Sequence, residues 1–116
     1  MDLAAVKDYE DIIAVLTEYG EGCNAGGEMA KKTFHPNALV NGEPAQKLFD
    51  AIDKAIAKNG KKGESTVKID ILGVSGNLAS ARVLMIDLYG MNFIDFHHLM
   101  KTDSGWKIVS KIYHDF

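Results

Sequence analysis

Asp95, His97 and His98, in the stretch "IDFHHLMK", could support two kinds of chemistry: metal ligation by a histidine pair, or proton transfer between a carboxylate and an imidazole. These need different geometries. On a strand the side chains alternate between faces, so adjacent histidines point apart and do not converge on one metal. Asp95 and His97, two apart, share a face. Enclosed there, either group can be tuned towards neutral pH and serve as proton donor or base. The same spacing equally suits two hydrogen-bonded polar residues on a solvated strand or a dimer edge. No metal site is expected: the chain has no H-E-x-x-H and no paired-cysteine spacing. It also lacks a G-x-G-x-x-G turn and a P-loop, so no cofactor is called for.

Other reactive side chains read as structural. Cys23 is the only cysteine, lies at a helix end beside small residues, and is expected to be a packed, inert thiol. His35 precedes Pro36 and can satisfy loop backbone groups. Trp106 follows a turn and should pack, and Arg82 should pair away from any pocket.

The elements that must position these residues follow from periodicity. Val6, Tyr9, Ile12, Ile13, Leu16 and Tyr19 recur at spacings of three and four, predicting an amphipathic helix that runs down at "YGEGCNAGG". Asn24 could cap a short second helix ending near Phe34. After an extended piece, "NALVNG", a third helix is expected to start at Pro44, bury Leu48, Ile52, Ala55 and Ile56, and stop at Asn59–Gly60. From Thr66 the pattern changes to four runs rich in β-branched and aromatic residues with short turns between them, an antiparallel meander. Alternation groups Ala79, Ala81, Val83, Met85 and Asp87 on one face. It groups Trp106, Ile108, Ser110, Ile112 and His114 on one face of the last strand, but does not fix which parity is inward. Leu84, Ile86, Leu88, Ile94, Phe96 and Met100 share the other parity of the middle strands, too apolar a surface to stay wet; a homodimer through it is expected.

With 116 residues, one domain (1–116) fills the chain. A charge of −3, from 13 basic and 16 acidic side chains, offers no field for a phosphate backbone, so no nucleic-acid partner is expected. No export signal or membrane-length apolar run is visible, and a lone cysteine fits a reducing, cytoplasmic setting.

Three segments carry a resemblance. "FHPNALVNG", "NLASARV" and "IDFHHLMKTDSGWKIVSKIYH" resemble nuclear transport factor 2-like proteins, closest to the branch named for lumazine binding. The matching positions are Phe34, His35, Pro36 and Ala38; Gly76, Ala79, Ala81, Arg82 and Val83; and Gly105, Trp106, Lys107, Ile108 and Lys111. The resemblance implies an α+β fold in which a curved antiparallel sheet wraps a long N-terminal helix into an open cone. Three helices precede a four-strand meander, with one further short strand. The cone is the implied pocket, with Asn41, Phe34, Val83, Met85 and His114 as ligand contacts. Tyr19 resembles the oxyanion-donating tyrosine of the ketosteroid isomerases of this fold, making Tyr19, Asp95 and His97 the catalytic candidates. Asn41 stands where those enzymes carry a carboxylate base, and asparagine cannot abstract a proton.

Three readings follow. The first choice is a small-molecule-binding protein with a partly apolar pocket. The others are a cofactor-independent acid–base enzyme acting on a small organic substrate, and a dimerisation module with a vestigial pocket.

Overall fold

A computed structural model describes residues 3–116 as three helices on one face of a six-stranded sheet. The helices are α1 (Leu3–Ala25), α2 (Gly27–Lys31) and α3 (Gln46–Asn59). The strands are β1 (Phe34–Val40), β2 (Glu43–Pro44), β3 (Thr66–Ser75), β4 (Leu78–Leu88), β5 (Met91–Thr102) and β6 (Gly105–Asp115). Their order is β2-β1-β6-β5-β4-β3, and β3 to β6 form the expected meander. One neighbouring pair is parallel, β1 with β6. No helix among the described residues is long and apolar enough to cross a membrane.

The first helix outlasts its glycines. A Cβ on Gly22 would lie 2.5 Å from the Ala30 nitrogen, and one on Gly20 would lie 3.0 Å from Val67. Both are close-approach points whose packing offsets a helix-propensity cost of about 1 kcal/mol each. The helix therefore continues to Ala25. Its buried face is Asp8, Ile12, Leu16, Tyr19 and Cys23, whereas Val6, Tyr9 and Ile13 of the expected stripe are exposed. Asp8 belongs inside because it accepts from Trp106 Nε1 (3.2 Å) and Lys101 Nζ (2.9 Å), tying the helix to the far end of the sheet.

The region between α1 and α3 departs further from expectation. Asn24 does not cap α2; its side chain donates to the Ser65 carbonyl and accepts from the Ser65 amide, both at 2.9 Å. The second helix ends at Lys31, and Phe34 already lies in β1. Asn41 and Gly42 have φ of 49° and 80°, the left-handed pair of a two-residue hairpin turn. The turn returns the chain as β2, where Pro44 is tolerated on an edge strand; α3 starts two residues later. Gly60, at φ 68°, ends α3 as expected, its N–H bonding to the Ile56 carbonyl at 2.9 Å.

Two irregularities set which residues face the helices. In β6 the register slips opposite His98 and Leu99, so Trp106 and Ile108 face inward, but beyond Val109 the inward residues are Lys111 and Tyr113. In β4 the register slips after Met85, and Asp87 takes a φ of 64°. Asp87 is thus exposed and Leu88 packs inside, the reverse of their expected faces.

Candidate functional site

The enclosed face of β4, β5 and β6 is built in rows. Ala81, His97 and Lys111 lie side by side in register, and Val83, Asp95 and Tyr113 form the next row. Alanine at 79 and 81 lets α1 approach closely, which lays Tyr19 across both rows. The Tyr19 hydroxyl donates to Asp95 Oδ2 at 2.6 Å, and its ring meets the His97 imidazole edge-on at 4.8 Å. His97 Nε2 lies 3.2 Å from the same oxygen, and Lys111 Nζ 3.8 Å from it. Three groups from α1, β5 and β6 thus converge on one carboxylate oxygen.

The protonation states follow from burial and partners. Burial alone would push the Asp95 carboxyl up, but the His97 hydrogen bond, the Lys111 charge and the Tyr19 hydroxyl outweigh it and hold it below its ordinary value. Asp95 is therefore a carboxylate at neutral pH. Burial lowers the pKa of His97 in spite of Asp95, leaving a neutral ring whose Nε2–H donates to Asp95. Its Nδ1 is then a bare lone pair, and this atom and Asp95 Oδ1 are buried without a hydrogen-bond partner among the described residues. Burial, with the charge of Asp95 also contributing, raises Tyr19 well above its ordinary value and keeps it a donor. Burial likewise raises Cys23, so the thiol stays protonated.

A cavity of about 340 Å³ opens between α1, α3 and the sheet. Its walls are mostly apolar, among them Leu48, Ile52, Met85, Leu88 and Phe93. At the inner end lie the buried Tyr19, Asp95 and Lys111, and at the solvent side Lys58, Asn59, Tyr89 and Met91.

The candidates from the sequence divide accordingly. Tyr19, Asp95 and Met85 line the cavity, while His97 sits behind Asp95, touching it but not the space itself. Val83 is fully buried in the row beside Asp95, and Phe34 packs between the Tyr19 and Phe49 rings; neither lines the cavity. Asn41 lies outside it, because its side chain grips the Tyr113 backbone, accepting from the amide at 2.9 Å and donating to the carbonyl at 3.3 Å. His114 is exposed because the β6 slip turns its parity outward. His98 is also exposed, so the adjacent histidines face opposite sides of the sheet. Lys111 and Tyr113 are not among the sequence candidates, since strict alternation sets them on the face opposite Trp106 and Ile108 and no residue type marks the slip that turns them inward.

Comparison with known proteins agrees with the fold. Residues 7–114 match the family model described as "Putative lumazine-binding". The aldolase FrzH of Cladobotryum sp. is 27% identical over 120 residues, covering 95% of this chain and 93% of its own. An NTF2-like protein of unknown function from Shewanella baltica superposes with a TM-score of 0.82 at 33% identity, covering 96% of this chain and 95% of that one. Another, from Silicibacter pomeroyi, has a TM-score of 0.76 at 21% identity with both chains fully covered, a likeness of fold alone. With the match spanning nearly the whole chain and the fold shared, this protein belongs to the "Putative lumazine-binding" family of NTF2-like α+β domains.

Proposed function

We propose that the chain binds a small, largely apolar organic molecule whose oxygen function meets Tyr19, Asp95 and Lys111. The observation that carries this is a cavity of about 340 Å³ whose enclosed polar groups are gathered at its inner end. Apolar walls supply affinity and a few convergent polar groups fix orientation. A charged ligand suits the site less well, because the carboxylate and the ammonium already offset one another. Saturation-transfer NMR with a panel of small aromatic aldehydes, ketones and hydrocarbons tests the reading. Binding should favour the oxygenated compounds and vanish in Met85→Trp, which fills the cavity; indifference to that substitution places the ligand elsewhere.

A second reading adds catalysis. It is favoured by a carboxylate, a phenol and an amine lining one space, and by the similarity to an aldolase, an enzyme class that works on carbonyl compounds. Asp95 would remove a proton beside a carbonyl while Tyr19 or Lys111 stabilises the resulting enolate. Exchange of the methyl protons of acetophenone into deuterium oxide measures this directly. The wild-type chain should accelerate it, and Asp95→Asn should slow it by roughly 100-fold or more. No acceleration over buffer would leave the binding reading alone.

A further inference from the structure

We propose that Lys111 is a carbonyl-capturing amine, condensing with the aldehyde or ketone of the bound molecule to form an imine inside the cavity. This rests on the small-molecule reading above and narrows its ligand class to carbonyl compounds.

The surroundings of Lys111 carry the argument. Its side chain is 4% exposed, although lysines ordinarily keep the ammonium in water. A buried cation serving only the fold is normally hydrogen-bonded as well as paired. The Lys111 amine meets its carboxylate at ion-pair distance, beyond hydrogen-bond range. Its nearest carboxylate oxygen, Asp95 Oδ2, stands at 3.8 Å, and the faces of Tyr113 and Tyr19 lie 4.4 and 5.1 Å from Nζ to ring centroid. The amine is therefore held between two aromatic rings, on the wall of the cavity. A slip in β6 puts it there; regular alternation would have sent it out. An anionic ligand is the alternative occupant for a buried amine, but the Asp95 carboxylate beside it would repel one. A neutral carbonyl suits both groups.

The chemistry balances with residues already present. Asp95 takes a proton from the Lys111 ammonium, and the freed nitrogen lone pair adds to the carbonyl carbon. The carbonyl oxygen takes up the second nitrogen proton, giving a carbinolamine. Asp95 then returns its proton to that hydroxyl, which leaves as water while the nitrogen lone pair forms the C=N bond. Asp95 ends as a carboxylate, the iminium keeps the positive charge beside it, and water is the only by-product. Nothing is oxidised or reduced.

The test incubates the whole chain with benzaldehyde and sodium cyanoborohydride, which reduces an imine to a stable secondary amine, followed by intact mass and peptide mapping. Lys111 should be labelled at least about tenfold faster than the surface lysines, since enclosure beside a proton acceptor raises effective concentration. Lys111→Arg keeps the cation and should lose that label. Met85→Trp leaves the lysine in place and should protect it. If Lys111 is labelled no faster than surface lysines while benzaldehyde still binds by saturation-transfer NMR, the imine is overturned and the binding reading stands. If no aldehyde or ketone of the panel binds at all, both fall.

Discussion

Among the described residues His97 has one polar partner, Asp95, and the consequence is a pH-dependent cost of folding. Its native pKa is depressed by burial, so as the pH falls below about 6.5 the unfolded chain takes up a proton that the native chain refuses. Unfolding binds protons and stability declines with falling pH, by up to about 1.4 kcal/mol per pH unit from this residue. Urea denaturation between about pH 7 and 5 should show that decline, and His97→Asn should flatten it. Asp95 acts lower on the scale: its depressed value gives stability that is full above the ordinary carboxylate range and lost as pH falls through its native value. At this scale the sequence was informative where alternation is regular. It paired Asp95 with His97, while Tyr19, on a distant helix, came in only through the family resemblance. It misplaced Asn41, whose left-handed turn geometry belongs to an Asn-Gly hairpin that the sequence does contain.

Elements were legible by type and less so by phase. The long helix, the third helix and the meander follow directly from periods of three to four and of two. By propensity, which is local, glycine in α1 predicts a stop, whereas its use is a contact eight residues along the chain. Gly22→Ala should therefore destabilise by about 1–3 kcal/mol, measured by urea denaturation, because the new Cβ would press on the Ala30 backbone, which has no rotamer to yield. Bulges were illegible for a related reason. A slip in β6 is decided by which packing of the whole sheet is best, and no neighbour of Val109 announces it.

Across the whole molecule, one face of the sheet is covered by helices and the other is bare. Leu72, Leu78, Ile86, Phe96, Met100 and Ile112 are exposed there, between 38% and 58%. Arg82 in their midst is already paired with Asp70 at 2.9 Å, so the patch offers a charged partner little to recognise. We propose that a second copy of the chain covers it, since a self-complementary apolar face needs no other specificity. Sedimentation should find a dimer, and Phe96→Lys with Ile112→Glu should yield a folded monomer; an unchanged dimer would locate the contact elsewhere. The cavity opens on the opposite side of the sheet, so the same substitutions should leave ligand binding intact. The layering has one more consequence. Tyr19 descends from a helix and Lys111 rises from the sheet, and both stand at the closed inner end of the cavity, so a flat carbonyl entering from the mouth would show the amine only one of its two faces. Addition at that carbon would proceed with a single handedness, making the stereochemistry of any product a record of which layer the nitrogen came from.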